Sequence, residues 1–192
     1  MALHFDPSRT YTDFDPYIES AANPRQRRML SIVRDHAKAE VERSLDGLMA
    51  TLVANPEYHF WVMGKDMGPK GYDAVRSYYN DYVASGGGVL ESTIERLIVD
   101  DGCVVQDGYI RNLVPSDVAR RRGYPIPSDV AHVIVTFRSL VLWPFDDGDD
   151  ESCLLLGEDS YAPLDLDAWE PVDGADLPDY YLEYLAELGV AV

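Results

Sequence analysis

The chain has 192 residues, with 16 lysines and arginines against 34 aspartates and glutamates, a formal net charge of -18 and an isoelectric point near 4.3. A chain of this length forms one domain and buries a core without help from disulfides or metal. Its charge opposes association with phosphate backbones and anionic lipid surfaces, which excludes nucleic acid and membrane as partners.

The amino terminus lacks the cationic start and apolar core of a signal peptide, and no apolar run approaches the length of a bilayer span, so a soluble cytoplasmic protein is expected. Residues 1–22 carry Asp6-Pro7 and Asp15-Pro16 and read as an extended arm. Asn23-Pro24, with Gln26 at the capping-box position, starts a helix. Leu30, Val33, Ala37, Val41, Leu45, Leu48 and Leu52 then recur at steps of three and four, predicting one continuous amphipathic helix that ends at Asn55-Pro56. Glu57 to Met63 is short, aromatic and bounded by Pro56 and Gly64, which predicts a strand. Tyr72, Val75, Tyr79 and Tyr82 mark a second helix, stopped by Gly86-Gly87-Gly88.

From residue 88 the period becomes two: Leu90, Ile94 and Ile98 alternate with polar neighbours, Asp101-Gly102 turns the chain, and Val104 to Leu113 returns. Residues 114–128, with three prolines and Arg120-Arg121-Arg122, read as an inserted loop. Val130 to Phe145 is a long strand, Asp146 to Asp150 a turn, Cys153 to Gly157 the start of a further strand, Leu166 to Val172 a last extended piece and Asp179 to Leu188 a terminal helix. After Arg138 there is no lysine or arginine, and this acidic region reads as solvated surface. The arginine cluster either pairs with it or covers a pocket and meets an anionic ligand. The two cysteines show no zinc or disulfide spacing, and the histidines at 4, 36, 59 and 132 show no metal-binding spacing, so no metal and no cofactor are expected.

Helix, strand, helix and then a meandering antiparallel sheet is an α+β layout. The segments His36-Ala37-Lys38-Ala39-Glu40, Ser44 to Leu52, Tyr58-His59-Phe60 and Gly71 to Tyr79 resemble the SnoaL-like branch of the NTF2-like superfamily. The likeness is best over residues 28–114. It implies a cone-shaped roll, with a curved sheet wrapped around the helices and a deep apolar pocket. The domain would span residues 23–175, followed by a helix and tail at 176–192. Superfamily members include polyketide cyclases, ketosteroid isomerases, scytalone dehydratase and limonene epoxide hydrolases, beside noncatalytic pocket proteins and the small subunits of ring-hydroxylating dioxygenases. Fold alone therefore does not select a function.

What the resemblance implies is metal-independent acid-base chemistry on a bulky, largely apolar carbonyl or hydroxyl compound, of lyase or isomerase type. The alternative is a noncatalytic ligand-binding, dimerisation or dioxygenase-associated module. His36 matches the place of the isomerase tyrosine that stabilises an oxyanion. With Glu40 one turn onward it forms a candidate acid-base pair, and the bland alternative is a boundary histidine hydrogen-bonded to Glu40 or a backbone carbonyl. The isomerase base aspartate falls on Phe60, which cannot take a proton. His59 is adjacent and reaches the pocket only through a one-residue shift of the strand. Tyr58, Phe60, Trp61, Tyr79 and Tyr82 are expected to line the pocket around a small apolar organic ligand. Alternation along the long strand leaves His132 and Arg138 on the outer face, in solvent or at the sheet-mediated homodimer interface common in the superfamily; an inverted register would bring His132 into the cavity.

Overall fold

The structure is a computed structural model and describes residues 3–62, 64–84, 89–150, 152–163 and 165–189. Asn23 caps the central helix as its side chain demands, accepting the Gln26 amide at 2.8 Å, and Pro24 opens α3 (Pro24–Val41). The Gln26 side chain does not complete a capping box; it donates to Asp101. The predicted continuous helix is two helices. Arg43 takes a left-handed conformation (φ 56°), and Ser44 then caps α4 (Leu45–Ala50) by accepting the Gly47 amide. A strong local cap signal overrides the longer apolar stripe here.

The amino-terminal residues are not an extended arm. They form α1 (Arg9–Thr12) and α2 (Asp15–Glu19), both packed on α3. Pro16 sits in the first turn of α2, where a missing amide hydrogen costs nothing. Phe14 is buried in the main core, and Arg9 pairs with Glu91, whose side chain is only 2% exposed.

The remaining elements are β1 (His59–Val62), β2 (Lys65–Asp66), α5 (Tyr72–Ala84), β3 (Leu90–Val99), β4 (Cys103–Pro115), α6 (Ser116–Arg121), β5 (His132–Pro144), β6 (Asp159–Tyr161), β7 (Trp169–Val172) and α7 (Asp179–Glu187). The glycine triplet expected to stop α5 lies outside the described residues. The predicted insertion carries α6 within it, and Cys153 to Gly157 pairs only through isolated bridges at Leu155 before β6 begins. The sheet runs β2-β1-β6-β5-β4-β3, with β7 alongside the opposite end of β5 from β6. It is mixed, because β1 and β6 are parallel. The sheet packs on α3, α4 and α5 through Leu30, Val33, Leu48, Val75, Val104, Val141 and Phe145, giving an α+β roll.

Two local features set which side chains face inward. Between Ile94 and Arg96 the β3–β4 register shifts, so that Leu90, Ser92 and Ile94 face one way, whereas Leu97 and Val99 take over that face beyond the bulge. Ile98, predicted to share a face with Leu90 and Ile94, is therefore 57% exposed. Gly108 lies opposite the shift, where a Cβ would fall 1.8 Å from the Thr93 carbonyl oxygen, so only glycine permits this approach.

On β5 the predicted alternation is present, but its outer face is not free throughout. His132 is 5% exposed and bonds through Nδ1 to the Tyr181 hydroxyl at 3.1 Å. Ile134 and Leu113 are buried with it under α7 and Phe5. The expectation of solvent or an interface at His132 is corrected: the chain's own carboxy-terminal helix occupies that position. Arg138, further along the strand, stays half-exposed and pairs with Asp107 at 2.7 Å.

Candidate functional site

A cavity of about 520 Å³ opens between α3, α5 and the concave side of the sheet. Phe60, Tyr78, Trp143 and Phe137 give it an aromatic wall, while Ser92, Gln106 and Asn112 add polar groups from β3 and β4. Gln106 donates to Ser92 at 3.0 Å, and Asn112 hydrogen-bonds Tyr82, so these amides are held in place rather than free to turn. Trp143 is buried and its indole N–H has no acceptor among the described residues.

Two carboxyls held away from bulk water face this cavity, with the exposed Asp81 a third at its border. Glu40 comes from the last turn of α3. Glu158 comes from the segment entering β6, placed by backbone contacts: the Glu57 amide donates to Leu156 and the His59 amide to Glu158, at 2.9 and 2.7 Å. Gly157 allows this packing, since a Cβ there would lie 1.8 Å from the Glu57 carbonyl oxygen. Neither carboxyl has a hydrogen-bond or ion-pair partner among the described residues. Burial pushes Glu40 up to about 7; burial, and then repulsion from Glu40, push Glu158 up to about 8. Near neutral pH the pair thus holds a proton, more firmly on Glu158, with Glu40 the readier to ionise.

His36 is not in the cavity. It is fully buried, with Nδ1 2.6 Å from the Thr51 Oγ1 and Nε2 2.9 Å from the Tyr79 hydroxyl. Thr51 donates its own proton to the Leu48 carbonyl, so its oxygen accepts from Nδ1–H, and Nε2 accepts from Tyr79. The Tyr79 oxygen in turn accepts from Tyr58 at 3.0 Å. The ring also packs edge-on to Trp143. Burial holds the imidazole down at about 3, so it is neutral at physiological pH. Neither ring nitrogen bonds Glu40 or a backbone carbonyl, which corrects both sequence readings of His36.

Of the predicted site residues, Glu40, Phe60, Tyr79 and Tyr82 border the cavity. Tyr58 and His36 lie sealed behind it, each 0% exposed. His59 points away, bonding Asp66 at 2.7 Å and stacking on Trp61, itself 37% exposed and stacked on Tyr161. Strand alternation at residues 58–61 sends Phe60 inward and its neighbours outward, and no shift rescues His59. The arginine cluster separates: Arg120 donates to the carbonyls of Ile126, Pro127 and Val130, Arg121 pairs with Asp117, and Arg122 borders the cavity. None of the three forms an ion pair with the acidic region beyond Arg138 among the described residues. No group of three or more His, Cys, Asp or Glu that could hold a metal occurs among those residues, and no helix is long and apolar enough to cross a membrane.

These groups predict a pH profile for stability. The neutral carboxyls of Glu40 and Glu158 contribute stability that is full below their unfolded value of about 4.3 and gone once the pH has risen through about 8. Neutral His36 contributes stability that is full above its unfolded value of about 6.5 and lost as pH falls through about 3. On these groups alone, the melting temperature should fall as pH rises from about 6 to 8, most steeply at about pH 6 to 7, as the folded protein gives up the protons that burial holds on the two carboxyls. A double Glu40→Gln, Glu158→Gln variant should flatten that limb in thermal melts; an unchanged limb would count against the assignment.

No protein-family model and no curated protein matches the sequence. Solved structures do match in fold. A putative SnoaL-like polyketide cyclase from Shewanella putrefaciens superposes with a TM-score of 0.58 at 10% identity, over 84% of this chain and 91% of the other. A second such protein, from Shewanella denitrificans, gives 0.54 at 14% identity, over 70% and 90%. An NTF2-like protein of unknown function from Burkholderia pseudomallei gives 0.51 at 15% identity, over 73% and 92%. At these identities the likeness is one of fold: the chain has the NTF2-like roll that its sequence resembles.

Proposed function

We propose that the chain is a small-molecule pocket protein that moves protons on a bulky apolar carbonyl or hydroxyl compound without a metal, in the manner of a cyclase, dehydratase or isomerase. One observation carries the reading: two carboxyls without a partner among the described residues face one largely apolar cavity, and burial raises both towards neutrality, Glu158 further than Glu40. In this scheme the Glu40 carboxylate takes the proton α to a carbonyl. The C–H electron pair becomes the new C=C bond, the C=O π pair moves to the carbonyl oxygen, and Glu158 delivers its proton there, giving the enol. Return of a proton to carbon completes the cycle. The fold neighbours are compatible with this chemistry and do not select it.

The test needs no knowledge of the natural substrate. The protein should accelerate exchange of the α-protons of 2-tetralone in deuterated buffer near neutral pH, followed by proton NMR. Exchange no faster than with an equal concentration of free glutamate would overturn the reading.

The uncovered half of the sheet's outer face exposes Ile98, Tyr109 and Leu140 around the Arg138–Asp107 pair, and we propose it as the surface of a homodimer. Ile98→Asp should convert a dimer to a monomer in sedimentation equilibrium; a wild-type chain that sediments as a monomer at micromolar concentration ends this proposal.

A further inference from the structure

The charge around the cavity is unbalanced. Glu40, Asp81 and Glu158 contribute three carboxyl side chains, and Arg122 one guanidinium. Within hydrogen-bonding range the half-buried Glu40 and Glu158 have no donor among the described residues, whereas the buried Glu91 is held by both Arg9 and Arg111. A buried carboxyl kept without a partner costs stability that a well-packed apolar residue would not. The same cavity is walled by Phe60, Tyr78, Trp143 and Phe137, and aromatic rings around a desolvated site attract cations through their negative faces.

We propose that the ligand of this cavity is an organic cation, a protonated amine on an apolar body, paired with Glu40 and Glu158 and enclosed by the aromatic wall. This goes beyond the proton-transfer reading and shares only its site: an ammonium group seated on the pair displaces the proton that Glu158 would deliver, so the amine is a ligand held there and not the compound on which that proton moves. A neutral ligand of the same shape leaves both carboxyls unpaired. An anion adds repulsion from them. The other titratable groups near the pair among the described residues include Asp81, Tyr78, Tyr79 and Tyr82 from α5, Arg122 beyond α6, Asp159 beside Glu158 and Tyr58 behind Tyr79; the tyrosines stay protonated, because burial raises all four above their ordinary value. The proton held on the pair should then leave as the ammonium group binds.

The test compares two isosteric probes, 1-aminoadamantane and 1-adamantanol, by isothermal titration calorimetry in two buffers of different ionisation enthalpy. The amine should bind more than about tenfold tighter than the alcohol at about pH 8, a discrimination in keeping with a desolvated cation. It should release protons near pH 7, and its advantage should grow from about pH 6 to about pH 9 as the carboxyls ionise. In the Glu40→Gln, Glu158→Gln variant the advantage should vanish while alcohol binding persists. Absence of amine binding at millimolar concentration, equal affinities for the two probes, or an advantage that survives the double substitution would overturn the proposal. Since 2-tetralone carries no amine, its exchange reports separately: exchange without amine preference leaves the proton-transfer reading standing and removes only this inference.

Discussion

Glu40→Gln is expected to slow α-proton exchange of 2-tetralone by about 10²–10⁴-fold, the ordinary yield of one positioned general base. Glutamine keeps the size and the acceptor oxygen of Glu40 but cannot take a proton. Ketone affinity, read from the concentration dependence of the rate, should stay within a few-fold, because the aromatic wall does the binding. Glu158→Gln retains a hydrogen-bond donor towards the carbonyl oxygen and should cost less, chiefly in maximal rate. It should leave the rise of the rate with Glu40 ionisation in place, because Glu158 is still protonated and uncharged as Glu40 titrates, and remove the fall that ionisation of Glu158 imposes at about pH 8. A rate that falls equally in both variants with no movement of the pH profile would argue against separate base and acid roles.

His36→Ala should act on stability and leave the chemistry nearly untouched. The substitution deletes a fully buried ring and strands Thr51 and Tyr79, which donate to or accept from it, with Tyr58 behind them. Truncating a large buried side chain and leaving buried polar groups unpaired is expected to cost about 3–5 kcal/mol. Urea unfolding measures this directly. At a temperature where the variant remains folded, exchange of 2-tetralone should persist, because the imidazole does not border the cavity and is held neutral. Native stability with abolished exchange would restore His36 as a catalytic group and displace the carboxyl pair.

The fold was readable where structure is set by nearby residues. Asn23 and Pro24 announced α3, the tyrosine spacing announced α5, and the β3–β4 hairpin and α7 fell close to where periodicity put them. The misreadings share a cause. Arg43 breaks a stripe that composition alone continues, the register shift near Glu95 reverses the faces of β3, and α7 covers a strand some fifty residues earlier in the chain, His132 meeting Tyr181. Each depends on backbone geometry or on a partner distant in sequence. The site shows the same division. Glu40 entered the reading only as the carboxylate one helical turn beyond His36, although that supposed partner turns its nitrogens to Thr51 and Tyr79. Glu158 was missed because it sits in an acidic stretch that resembles solvated surface. Its place in the cavity follows from the parallel pairing of β6 with β1, a contact between residues a hundred positions apart that no local pattern encodes.

The cover over the outer face of the sheet is made from both ends of the chain: Phe5 and α7 meet above Leu113 and Ile134, and the Tyr180 hydroxyl donates to the Phe5 carbonyl at 3.3 Å. During synthesis, the strands bearing Leu113 and Ile134 emerge well before α7 does. Until α7 has left the ribosome, those side chains have no lid, and contacts of such large sequence separation are the slowest to form. The arrival of α7 therefore decides when the newly made protein stops exposing an apolar strand face to its neighbours.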